Sequence, residues 1–85
     1  MGPIGMGIYD PLRDHLRRQR LAEFELNFVE IGSILGRQLP KSAEHFQWWT
    51  NQKDAARPQR DAWRDAGFDA FLIKGRDRVR FVRLL

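Results

Sequence analysis

The chain has 85 residues, 42 % of them apolar and 12 % aromatic, and contains no cysteine. That length supports a single domain with one modest core, and the absence of thiols excludes a disulfide scaffold and any thiolate metal site. Fifteen Lys and Arg oppose eleven Asp and Glu for a formal +4, while no apolar run approaches the roughly 18–20 residues that cross a bilayer. No basic-then-apolar secretory order opens the chain, so a cytoplasmic protein is expected, nucleoid-associated if it binds DNA.

Residues 1–8 are rich in Gly and lack periodicity, which reads as a flexible leader ahead of one domain over 9–85. Asp10-Pro11 is a helix start, since Asp accepts from free N–H groups and Pro at the first helical position loses nothing by lacking its own. A helix from Pro11 to about Ala22 follows, with Leu12, Leu16 and Leu21 on its apolar side. Phe24 to Phe28 alternates apolar and polar residues as a short half-buried strand does.

Asn27 followed by Glu30 has the spacing of a capping box, so a two-turn helix is expected over Phe28–Leu35, stopped by Gly36. Pro40 then opens a second short helix to about Trp49, with Ala43, Phe46 and Trp49 turned inward. Trp48 and Trp49 are neighbours, and neighbouring helical positions point about 100° apart. One ring is therefore expected in the core and the other as a lid or an exposed contact surface. A third helix starts near Arg57-Pro58, runs through Ala62, Trp63 and Ala66, and ends at Gly67. Strands over Phe68–Ile73 and Arg78–Leu84 close the chain around Lys74-Gly75-Arg76-Asp77, with Phe71, Ile73, Val79 and Phe81 assigned to the core face.

The order is helix, strand, helix, helix, helix, strand, strand, an α+β domain. With one helix set aside, it is that of a winged helix-turn-helix whose C-terminal β-hairpin is the wing. The chain also resembles a family of small, largely uncharacterised bacterial domains. The residues that carry the resemblance are Tyr9-Asp10-Pro11-Leu12, Leu39-Pro40-Lys41-Ser42-Ala43, Trp48-Trp49-Thr50-Asn51 and Ala62-Trp63-Arg64-Asp65-Ala66-Gly67. Arg57-Pro58 departs from the family pattern, where smaller or more polar residues are expected. The resemblance implies no settled activity, only a suspicion of DNA binding.

Catalysis finds no support in the residue inventory. His15 and His45 are the two histidines. The Ser42/His45 pair lacks an acid to orient the imidazole, and no phosphate loop or nuclease-like acidic order is present. A non-catalytic chain without cofactor or metal is expected.

Charge points elsewhere. Residues 1–36 carry four Arg and five acids, a net of −1, so the remainder carries +5. Twelve of the fifteen bases are Arg, which matches phosphate and guanine bidentately, although GC-rich codons also raise Arg content. In the second helix Lys41, Ser42, His45 and Gln47 lie off the apolar stripe and suit base-edge readout. Asn51, Lys53, Arg57, Arg60 and Arg64 follow, the last three spaced to line one helix face that could track phosphates. Lys74, Arg76 and Arg78 crowd the hairpin.

Each group also has a plain alternative, a solvated helix face or a charged edge that discourages aggregation. Together they predict a double-stranded DNA-binding domain of a bacterial transcriptional or accessory regulator, with a homodimer allowed. The alternative is a protein-interaction or self-association module built on an exposed Trp and the N-terminal helix.

Overall fold

The computed structural model describes residues 7–51 and 58–84. Helix α1 covers Asp10–Arg17, strand β1 Glu23–Asn27, helix α2 Phe28–Leu35, helix α3 Pro58–Asp65, and strands β2 and β3 Phe68–Leu72 and Arg78–Arg83. Between α2 and α3 lie two 3-10 turns, Lys41–Glu44 and Phe46–Trp49. The strands form one antiparallel sheet in the order β1-β3-β2. Helices α1, α2 and α3 and the turns gather over one face of it, which makes this a small α+β domain.

Local chemistry accounts for most boundaries. Asn27 and Glu30 make the full capping box, Asn27 Oδ1 accepting from Glu30 N at 2.7 Å and Glu30 Oε1 from Asn27 N at 2.8 Å. Gly36 ends α2 at φ 74°, a left-handed conformation that glycine adopts without steric cost. The hairpin register pairs Phe71 with Arg80 and Ala70 with Phe81, and β1 adds on the far side of β3 with Glu25 opposite Arg80.

The core runs from Leu12, Leu16 and Ile31 through Trp63 to Phe68, Val79 and Phe81, all essentially inaccessible to solvent. Complete burial of one such large side chain contributes about 1.5–3 kcal/mol relative to leaving it exposed. Trp49 stacks on Trp63 with ring centroids 5.2 Å apart, and Trp48 meets Trp49 edge to face at 4.6 Å and Tyr9 at 5.7 Å.

Four sequence expectations are corrected. The helix over 40–49 is instead two 3-10 turns, because His45 is extended (φ −105°, ψ 144°) and breaks the α-helical phase. That break turns Phe46 outward, 59 % exposed, and lets both Trp48 and Trp49 enter the core, so of the lid and the exposed contact surface expected for one of them, the exposed surface is absent.

Helix α1 stops at Arg17 rather than near Ala22. The chain must become extended for the Ala22 carbonyl to accept from Arg83 N at 2.7 Å, and Leu21 is left exposed. In β2 the inward residues are Phe68, Ala70 and Leu72. Phe71 lies on the other face, since side chains alternate along a strand and both phases of this segment contain apolar residues. Ile73 lies just beyond the strand. Of the expected leader, residues 1–6 lie outside the described residues, while Gly7 N donates to Asp10 Oδ2 at 3.1 Å.

Candidate nucleic-acid interface

The twelve expected site residues separate into four groups. Lys41, Ser42, His45 and Gln47 are exposed on the 3-10 segment, and Lys74 and Arg76 are exposed at the hairpin turn. These two regions approach each other. Glu44 and Phe46 on one side and Lys74, Gly75, Arg76 and Asp77 on the other line a common depression of about 210 Å³, floored by Phe28 and Leu72. The basic hairpin tip and the turns thus form one surface, brought together by the way α3 returns the chain to the sheet.

A second group is held in ion pairs. Arg60 Nη2 lies 2.9 Å from Asp61 Oδ1, Arg64 Nη1 2.7 Å from Asp69 Oδ1, and Arg78 Nη1 3.7 Å from Glu25 Oε1. The outward positions of α3 are Pro58, Asp61 and Asp65. The expected basic stripe along this helix is therefore compensated where it can be followed. Lys53 and Arg57 form the third group and lie outside the described residues.

Asn51 stands by itself, because its amide is engaged internally. Its Oδ1 accepts from Trp63 Nε1 at 2.9 Å and from Ala70 N at 3.0 Å, while its Nδ2 donates to Ala70 O at 2.8 Å. Asn51 thereby occupies both outward backbone groups at the centre of edge strand β2 and covers an edge that would otherwise accept another strand. It is a structural residue rather than a surface donor.

The 3-10 segment is anchored by side-chain hydrogen bonds despite its short turns. Trp49 Nε1 donates to Ala43 O at 2.7 Å, and the buried Gln59 donates from Nε2 to Trp48 O at 3.2 Å. These side chains satisfy carbonyls that an α-helix would have paired internally. The Trp-Trp-x-Asn and Ala-Trp-x-x-Ala-Gly spacings are thus two halves of one internal network, in which Trp48, Trp49, Asn51 and Trp63 converge.

Two functional candidates escape sequence reasoning. Phe46, which α-helical phase would turn inward, is exposed. Arg37, just past the cap of α2, is exposed and has no carboxylate partner among the described residues. Arg37 also lies close enough to Tyr9 to oppose, though not overcome, the upward pull of burial on that phenol. Arg17, Arg18 and Arg20 are likewise exposed without a carboxylate partner among the described residues, at the end of α1. No group of acidic and histidine side chains suited to a metal ion occurs among the described residues, and none of their helices is long and apolar enough to cross a membrane.

Residues 9–84 match the family described as Domain of unknown function (DUF7662). The chain belongs to this family. Its matched span takes in every element from α1 to β3, so membership describes the whole fold rather than one motif. No curated protein and no solved structure matches the chain.

Proposed function

We propose that the protein is a non-catalytic double-stranded DNA-binding domain, serving as a bacterial transcriptional or accessory regulator, with a winged-helix arrangement adapted to backbone contact. The observation that carries this reading is the shared surface of Phe46 with Lys74 and Arg76, with Lys41 exposed on the preceding 3-10 turn, on a sheet ordered β1-β3-β2 behind its helices. Lys74 and Arg76 have no carboxylate partner among the described residues, so their charge is available to phosphates. Phe46 offers an apolar face to sugar or base, and His45, Gln47 and Ser42 supply donors and acceptors beside it.

In a winged helix the helix before the hairpin ordinarily enters the major groove. Here α3 presents Asp61 and Asp65 outward, so the reading assigns contact to the wing and the 3-10 turns instead. Glu44, in the same depression, opposes phosphate and sets a sign for the test.

Fluorescence anisotropy on mixed-sequence duplexes at two salt concentrations is the measurement. K74E/R76E should weaken binding to all sequences at least about tenfold and lower the salt slope by about 2, one for each phosphate contact removed. E44Q should tighten binding, and Q47A should change sequence preference. Undetectable affinity at low salt, or a K74E/R76E variant that binds as well as the parent, would exclude the reading. The interaction-module alternative loses its exposed tryptophan, since both Trp48 and Trp49 are buried.

A further inference from the structure

A larger concavity lies on the other side of Phe28. It has a volume of about 580 Å³, bounded by the exposed flank of α2 and by the segment that crosses from Gly36 to Lys41. Pockets of roughly 300–1,000 Å³ with apolar walls and a few placed polar groups are the size and character that small molecules occupy. The apolar wall here is Phe28, Val29, Leu39 and Pro40. Val29 is 78 % exposed, the most open large apolar side chain among the described residues.

The concavity has a backbone cause. Gly32 lets the return segment lie close against α2, since a Cβ there would come within 3.1 Å of the Arg37 carbonyl oxygen. Gly36 then turns the chain so that Arg37 and Lys41 stand on the rim at either end of Leu39-Pro40. Both are exposed and neither has a carboxylate partner among the described residues; Glu44 is the acid in the lining. The first turn of α2 does not itself present an anion site, because Asn27 and Glu30 already close it.

We infer that this groove binds a small amphipathic monocarboxylate of the medium-chain fatty acid type, its tail along Phe28, Val29 and Leu39 and its carboxylate between Arg37 and Lys41. Charge complementarity selects the acid. The apolar wall takes a chain that water disfavours, and the two cations that flank Leu39-Pro40 supply charge-assisted hydrogen bonds. The site shares Lys41 and Glu44 with the surface proposed for DNA, so it is tested without DNA, where its failure and the failure of that reading are distinguishable.

Octanoate is the probe, with 1-octanol supplying the same tail without charge and acetate the charge without the tail. Phe28 stacks on Trp49 with ring centroids 6.2 Å apart, so tryptophan emission should change saturably with octanoate. Amide resonances of Val29, Gly32, Ser33, Arg37 and Lys41 should shift with the same midpoint. Octanol and acetate should each bind at least about tenfold more weakly, as expected when a charge-assisted contact or the apolar contact is lost.

R37Q/K41Q should cost octanoate a similar factor while leaving octanol unchanged. V29E should abolish binding with the fold intact, because an exposed acid in the first helical turn is favoured, and circular dichroism confirms that. E44Q should tighten binding. The inference is overturned by the absence of saturable shifts, by shifts centred elsewhere, by octanol binding as tightly as octanoate, or by R37Q/K41Q binding like the parent.

Discussion

Asn51 shows how one side chain can settle several questions at once. Its amide joins the Trp63 indole to both outward backbone groups of Ala70, tying α3, the 3-10 segment and the sheet edge together. Asn51→Leu would leave an indole N–H, a backbone N–H and a carbonyl short of partners in a partly buried place. Each such loss costs about 1–3 kcal/mol, so urea denaturation should show a drop on the order of 3 kcal/mol. An unchanged midpoint would mean that water replaces the amide without penalty. In sequence Asn51 lies among loop-like polar residues and reads as a surface donor. Nothing local to Thr50-Asn51 reveals that Ala70 will lie beside it.

At the scale of elements, the end of α1 combines a helix terminus with a titratable group. Gln19 donates from Nε2 to the His15 carbonyl at 3.1 Å and lies 3.2 Å from His15 Nε2. A donating amide there requires the imidazole to accept, hence the neutral ring with its proton on Nδ1. Burial, aided by the nearby Arg18 charge, holds the His15 pKa below its ordinary value of 6.5. The unfolded chain therefore binds a proton that the folded chain resists. Its contribution to stability is present above pH 6.5 and is lost as the pH falls through the depressed folded value.

Thermal unfolding from pH 7.5 downward should show a loss of stability, and His15→Gln should flatten that portion of the curve. A substitution that leaves the slope unchanged would assign the pH dependence to other groups. Other elements were legible from local sequence. The capping box at Asn27, the stop at Gly36 and the Gly-containing hairpin each depend on a few adjacent residues. The 3-10 segment was not, because an α-helix and two 3-10 turns share their first turn's pattern. The tertiary demand for both indoles breaks it at His45.

At the scale of the molecule, the net charge of +4 is distributed by pairing. The outer face of the sheet carries a ladder in which Glu23 and Glu25 meet Arg78 and Arg80 at 3.4–3.8 Å. Arg83 turns to the carbonyls of Gln19 and Leu21 and over the ring of Phe68. The surplus charge consequently falls on Arg37 and Lys41 beside α2, on Lys74 and Arg76 at the hairpin turn, and on the arginines that end α1. The ladder is about half exposed, so its pairs contribute little. Glu25→Gln should shift stability by less than about 0.5 kcal/mol in a denaturant titration. A loss above 1 kcal/mol would reveal a cooperative network.

Sequence alone determined the α+β class, the capped helix α2, the terminal hairpin and the bias of basic charge toward the C-terminal half, because caps, turns and strand alternation act between neighbours along the chain. Tertiary structure decided which bases remain available and which are neutralised. It brought Asp69 to Arg64 and Glu25 to Arg78, drew Asn51 into the sheet edge, turned Phe46 outward and set the hairpin tip beside the 3-10 turns. Those outcomes depend on distances between residues remote in the chain, fixed only when the tryptophan cluster, the helices and the sheet pack together.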